Sequence, residues 1–386
     1  MTKASVSFNA KINKLKTRYF YLILSVFTVL GLQSCKTYKN LPNTNKTVDD
    51  EASLETHYLL HRINRIKDFG YAFGHQDATA YGIGWKNDGT QYKSDVKEVS
   101  GDFPAVYGFE IGHIELGKKQ NLDTVNFALM KRLIRKAHNK RGIITISWHP
   151  DNPLSKKSAW DTTKTVTYVL KGGALHTQYR GWLLRVADFL NDLKDSKGNL
   201  IPVVFRPYHE MNGSWFWWGE GNCTAQEYKQ LWKETVAILR DEFNVHNLLY
   251  AYSVNTFQTK AEYLKYYPGD DYVDILGVDV YQHGTVEDFT AALHTDLSIL
   301  SEIAKEKKKP FALTEAGLNM VNIDNWWTQV LDDNISEYDI SWALFWRNAW
   351  PNHYFVPYTG STSSYDFQKF KNFPHVLFLK DLKKIR

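Results

Sequence analysis

From Tyr58 onward the chain alternates two kinds of segment: short apolar runs rich in β-branched and aromatic residues, and longer stretches with apolar residues at helical spacing and charges opposite. The runs suit strands of a parallel sheet, covered on both faces, and the stretches suit helices that lay one stripe on that sheet. The runs predict strands near Tyr71–Gly74, Ala105–Phe109, Ile143–Trp148, Val203–Arg206, Leu248–Ser253, Ile275–Val280, Phe311–Thr314 and Ile340–Phe345. Helices are predicted over Val125–Asn139, Gln178–Leu193, Ala225–Glu242, Val286–Lys305 and Asn325–Ile335. Eight strands with helices between them predict an α/β fold, a (β/α)8 or TIM barrel, as a single domain over residues 54–386.

In such a barrel the functional loops follow the C-terminal ends of the strands. His75-Gln76-Asp77 follows the first run, Glu110 the second, His149-Pro150 the third, His209-Glu210 the fourth and Asn255 the fifth. Asp279-Tyr281-Gln282 closes the sixth, Glu315 the seventh and Trp346-Arg347 the eighth. Random decoration would not gather ionisable and aromatic groups at one end, so the pattern itself predicts a site there.

Ahead of the barrel, Lys3, Lys11, Lys14, Lys16 and Arg18 precede an apolar segment, Tyr19 to Leu32, that ends in Leu32-Gln33-Ser34-Cys35. This is the layout of a secretory signal peptide, and its apolar core is short for a membrane span. The final cysteine resembles a bacterial lipobox, although Gln33 departs from the small residue usual there. The reading is a lipoprotein signal peptide over residues 1–34, lipidation at Cys35 and a tether over 35–53. It places the protein on a bacterial membrane through a lipid anchor, outside the cytoplasm, on the periplasmic side or the cell surface. Lys36-Thr37-Tyr38-Lys39-Asn40 lacks the acidic run associated with surface export, which favours the periplasmic side. Cys223 is the one other cysteine, so lipidation of Cys35 leaves no intrachain disulfide.

The signal peptide also changes the meaning of the formal charge of +5. Five of the 47 basic residues precede Cys35 and no acidic residue does, so the remainder balances 42 acidic residues. A neutral mature chain argues against electrostatic capture of nucleic acid or an anionic surface and fits a neutral polymer.

Arg206-Pro207-Tyr208-His209-Glu210-Met211-Asn212-Gly213-Ser214-Trp215-Phe216-Trp217-Trp218 is where an apolar strand opens into a guanidinium, an imidazole, a carboxyl and indoles. Apolar surroundings raise the pKa of a carboxyl, as a catalytic acid requires, and indoles stack on sugar rings. Glu210 and Glu315 follow the fourth and seventh strands, which face each other across the barrel, so the two carboxyls could flank one glycosidic bond. Their separation would distinguish retaining from inverting chemistry. Leu313-Thr314-Glu315-Ala316-Gly317 puts small residues beside the second carboxyl, where they would let substrate approach.

With these residues in place the chain resembles glycoside hydrolase family 26, whose main members are β-mannanases, from Gly74-His75-Gln76 to Phe345-Trp346-Arg347. The most specific part is Arg206 to Gly213, because His209 replaces the asparagine that precedes the acid in most related barrel glycosidases. The resemblance implies a retaining endo-β-1,4-mannanase acting on mannan, galactomannan or glucomannan, with Glu210 as acid/base and Glu315 as nucleophile. Arg206 and Tyr281 would hold and aim Glu315, and Asp279 would orient those donors. Trp160, Trp215 and Trp346 would be sugar platforms, and His149 and His209 hydroxyl donors near the scissile bond. A mixed-linkage β-glucanase or β-1,3-xylanase of the same family is the alternative specificity, and a glycan-binding lipoprotein without activity the alternative class.

No cofactor is expected, and no metal: His209-Glu210 lacks a second histidine one helical turn away, and no EF-hand loop occurs. Gly112 to Lys118 begins like a phosphate-binding loop but has Lys119 where a Ser or Thr belongs. Trp148, Trp182, Trp232, Trp326 and Trp342 fall within predicted strands or helices and are assigned to packing, and the enzyme is expected to act as a monomer.

Overall fold

The computed structural model describes residues 46–385; the signal peptide and Cys35 lie outside the described residues. Eight parallel strands close into a barrel: β1 (Tyr71–Gln76), β2 (Val106–Glu110), β3 (Ile143–Trp148), β4 (Val203–Pro207), β5 (Leu248–Asn255), β6 (Ile275–Gln282), β7 (Phe311–Leu318) and β8 (Trp342–Phe345). Each pairs with the next, and β8 returns to β1 with Ala72 opposite Trp342 and His75 opposite Phe345. The main helices are α1 (Leu54–Ile66), α2 (Phe127–Asn139), α3 (His176–Asn191), α4 (Ala225–Ala237) and α5 (Val286–Lys307).

Two apolar clusters follow from this closure. One lies inside the barrel, where Ala72, Val106, Val204, Leu249, Ala312 and Leu344 meet Leu59, Leu60, Ile63 and Ile66 of α1. That helix stops the end of the barrel remote from the strands' C-termini, with Ser53 capping it through a bond from the Thr56 amide. The larger cluster fills the layer between sheet and helices, and Trp148, Trp182, Trp217, Trp218, Trp232 and Trp326 all lie in it. The tryptophans assigned to packing are buried, Trp342 inside the barrel and the other four in this layer.

Differences from the predicted elements have local causes. Helix α1 was not anticipated, because its apolar positions are interrupted by His57, His61, Arg62 and Asn64. Ala225–Ala237 runs on as a π-helical turn over Ile238–Glu242, and Trp326–Asp332 is π-helical where a regular helix was predicted. The tether was expected to reach residue 53, yet the compact unit begins at Thr47. Thr47, Asp49 and Ala52 are buried, the Val48 amide donates to Asp274 at 2.7 Å, and Asp49 meets His246 at 2.8 Å.

Strand β7 carries a bulge that matters for the site. Val278 pairs with Leu313 but Asp279 pairs with Glu315, so Thr314 is an extra residue. A bulge re-aims side chains. Thr314 and Glu315, which strict alternation would send to opposite faces, both reach the polar network at the mouth: Thr314 donates to Asp279 at 2.6 Å, and Glu315 accepts from Arg206.

Candidate active site

Glu315 is buried and each of its oxygens accepts a hydrogen bond. Arg206, from β4, donates Nη2 to Oε1, and the Tyr281 hydroxyl, from β6, donates to Oε2 at 2.7 Å. Arg206 turns its other terminal nitrogen to Asp279, at 2.9 Å, and to the Ser253 hydroxyl, at 3.0 Å. The guanidinium is thus shared between two buried carboxyls, and Asp279 fixes its plane through Thr314 and Ser253. Burial pushes the Asp279 carboxyl up to about 7, with Arg206 opposing and Glu315 adding to the rise.

Glu210 lies across the barrel and is only partly covered. Its backbone is left-handed, φ 54°, and its amide is tied to the Ser253 carbonyl at 3.0 Å. Burial of the carboxyl, followed by the nearness of Asp279 and Glu315, pushes its pKa well above the carboxylate range; Arg206 and the Trp215 bond oppose this without cancelling it. Carboxyl oxygens of Glu210, Asp279 and Glu315 lie within 4.8 Å of one another. Oxygens this close suit the retaining arrangement, with carboxyls about 5–5.5 Å apart, better than the roughly 6.5–9.5 Å that admits a water in inverting enzymes. Three such oxygens could also ligate a cation, but the Arg206 charge already bonds two of the three carboxyls, and among the described residues the group contains carboxyls alone.

The remaining expected residues gather at the same mouth. His149 follows β3, with its Nδ1 2.7 Å from Glu110 and its ring stacked on Trp160 at 5.2 Å. Burial opposes charge on His149, yet Glu110 outweighs it and raises the pKa. His209 stands edge-on to His149 at 4.5 Å, and burial, then Arg206 and His149, hold it neutral. Its Nε2 is 3.9 Å from Glu315 and its buried Nδ1 has no protein partner. Trp160 is 50% exposed and Trp215 37%. Trp215 is also tethered by its indole N–H to Glu210, at 2.9 Å, and lies so close over Gly213 that a Cβ there would come within 2.2 Å of the ring. Trp346 is half-buried at the end of β8, its amide donating to Ala316 at 3.2 Å.

Two residues belong to the site that sequence reasoning did not assign to it. Glu110 accepts from the His149 amide, the Ser147 hydroxyl and the His149 ring, so it sets that imidazole's orientation; its position after β2 was the available signal. Phe216 touches His149, His209 and Trp160 and stacks on Trp218 at 4.4 Å, closing the aromatic wall. One expectation is corrected. Gly317 does not open space for substrate: its φ of 153° and the Phe355 ring, 2.4 Å from where a Cβ would stand, show a close packing contact instead.

Residues 48–352 match the family described as glycosyl hydrolase family 26. The chain belongs to that family. Among similar proteins, a mannan endo-1,4-β-mannosidase of Bifidobacterium adolescentis is 34% identical over 78% of this chain and 31% of its own length. One from Caldalkalibacillus mannanilyticus is 27% identical over 77% of this chain and 56% of its own length. The chain thus spans from under a third to just over half of these relatives. Among solved structures, a family 26 β-mannanase from Bacteroides ovatus is 45% identical with a TM-score of 0.83, covering 85% of this chain and 96% of that one. A Cellulomonas fimi endo-β-1,4-mannanase variant is 37% identical with a TM-score of 0.81, covering 88% and 78%. The (β/α)8 barrel and the family 26 membership expected from sequence are both borne out.

Proposed function

We propose that this chain is a retaining endo-β-1,4-mannanase acting on mannan, galactomannan or glucomannan. The observation that carries the reading is the pair of carboxyls, Glu210 and Glu315, with oxygens within 4.8 Å at the mouth of a family 26 barrel. Mannanases among the similar proteins support the substrate.

Glu315 attacks the anomeric carbon as Glu210 gives its proton to the departing glycosidic oxygen, leaving a glycosyl ester on Glu315 and releasing the other fragment with a free hydroxyl at its new non-reducing end. Water then attacks the anomeric carbon of the glycosyl ester as Glu210 takes its proton, the bond from that carbon to Glu315 breaks, and the carboxylate is released with configuration retained. The same residue serves as acid and then as base because esterification removes the charge on Glu315. Loss of that neighbouring charge lowers the pKa of Glu210. Arg206 and Tyr281 hold Glu315 in line, and Asp279 holds Arg206. Neutral His209, with a buried ring nitrogen unpartnered, and His149, aimed by Glu110, bond hydroxyls of the reacting sugar; Trp160, Trp215 and Trp346 bear on ring faces.

A panel of mannan, galactomannan, glucomannan, lichenan and β-1,3-xylan with product sizing tests the reading. Mixed mannooligosaccharides from the first three, and none from Glu210→Ala or Glu315→Ala, are expected. Cleavage of lichenan or xylan alone overturns the specificity. Lipidation at Cys35 and membrane attachment outside the cytoplasm are part of the same proposal, supported by the lipobox-like Leu32 to Cys35. Protease shaving of intact cells, with a Cys35→Ala variant for comparison, tests them.

A further inference from the structure

The turn after β4 carries Glu210 into the cleft by a route that ordinary pleating does not provide. Arg206 faces the barrel interior, where it meets Asp279, and strict alternation would send Tyr208 and Glu210 to that same side. Both instead hold left-handed backbone, φ 48° and 54°. Tyr208 turns into the helical layer, its hydroxyl 3.2 Å from Thr235 of α4, while Glu210 turns towards Glu315. For residues with a Cβ this conformation costs roughly 1–2 kcal/mol each, so it persists only where neighbours over-determine it.

Two fully buried side chains do so. Tyr228 of α4 donates its hydroxyl to the Tyr208 carbonyl at 2.9 Å, and Trp218 donates its indole N–H to the His209 carbonyl at 2.9 Å. Successive carbonyls of the turn, out of reach of the β-ladder, are thereby satisfied by side chains. The next peptide is closed locally, the Gly213 amide returning to the Glu210 carbonyl at 2.9 Å. Asn212 ties the same turn to the end of β5, accepting from the Asn255 amide at 2.8 Å and donating to the Asn255 and Thr256 carbonyls.

We propose that Tyr228 and Trp218 are positioning residues for Glu210: by capping the Tyr208 and His209 carbonyls they hold the left-handed turn that aims its carboxyl at the glycosidic oxygen. The inference rests on the acid/base reading of Glu210. Neither side chain reaches substrate. Removal of either cap leaves a buried carbonyl unpaired and frees the turn to relax, which swings the Glu210 carboxyl away while the Glu315 network on β6 and β7 stays intact.

Tyr228→Phe and Trp218→Phe each delete the donor and keep an aromatic ring. A sugar leaving group needs a proton and 2,4-dinitrophenolate does not. The experiment therefore compares kcat/KM for mannohexaose and for 2,4-dinitrophenyl β-mannobioside in wild type, both variants and Glu210→Ala. Each phenylalanine variant is expected to lose about five- to tenfold more on mannohexaose than on the aryl substrate, as loss of one hydrogen bond predicts. Equal losses on the two substrates, or no loss, overturn the proposal. If Glu210→Ala is selective for the leaving group and the phenylalanine variants are not, only the positioning proposal fails. If Glu210→Ala itself loses both substrates equally, the acid/base reading fails first. Should Trp218→Phe not fold, Tyr228→Phe, which lacks one oxygen, decides the matter alone.

Discussion

The ends of β4 and β7 present the same residue type in opposite ways. Glu315 sits within a strand, buried, with a donor on each oxygen, and a bulge at Thr314 turns it into the barrel. Glu210 sits beyond its strand, partly exposed, on left-handed backbone, with one indole N–H on its carboxyl. The proposed roles ask for this contrast: a nucleophile must be charged and fixed, and an acid/base must hold a proton, surrender it and recover it from solvent. The difference between the two glutamates is therefore supplied by backbone and neighbours, the side chains being identical.

Removing each carboxyl breaks the comparison most severely. Glu315→Ala is expected to lose roughly 10⁴-fold or more in kcat/KM on every substrate, since no route to the glycosyl ester remains. Glu210→Ala is expected to lose about 10²- to 10⁴-fold on mannan, the scale of general acid catalysis. Steady-state assays on both show whether the first loss ignores the leaving group.

A smaller change tests how Glu315 is held. Tyr281→Phe deletes the 2.7 Å bond to Oε2 and is expected to lower kcat about 10- to 100-fold, as loss of a charged hydrogen bond predicts. A circular-dichroism melt confirms that the fold survives.

Glu210 can be probed by pH. As the proposed acid it must be protonated for the first step, so activity is expected to fall as pH rises through its raised pKa. Trp215 opposes that rise by donating to the carboxylate. Trp215→Phe should therefore move the alkaline limb of kcat/KM to higher pH, and a shift to lower pH would contradict the assignment.

The smallest expected effect is on stability. A carboxyl whose pKa is higher in the folded than in the unfolded state costs nothing below the unfolded value, near 4.3, and destabilises the fold progressively above it. Glu210→Gln should accordingly melt higher than wild type at pH 7 and at the same temperature near pH 4.

Much of this was legible in sequence because it was periodic or clustered. The eight strands appear as apolar runs, and His149, His209, Glu210, Tyr281, Glu315 and Trp346 are found at strand ends because the barrel puts loops there. Features that depend on a single backbone angle or a distant partner were not legible. The Thr314 bulge leaves no mark in Phe311 to Leu318, whose eight residues are all apolar but two. The left-handed turn at Tyr208 and Glu210 involves no glycine. Glu110 acts through His149, some 39 residues away, and Phe355 fills the space at Gly317 from beyond β8.

The division of labour between the two carboxyls is tested most directly by azide with 2,4-dinitrophenyl β-mannobioside. In Glu315→Ala, azide takes the place of the missing nucleophile and should give the α-glycosyl azide; in Glu210→Ala it intercepts the glycosyl ester and should give the β-azide. NMR of the two products distinguishes them. One and the same anomer from both variants would contradict the account.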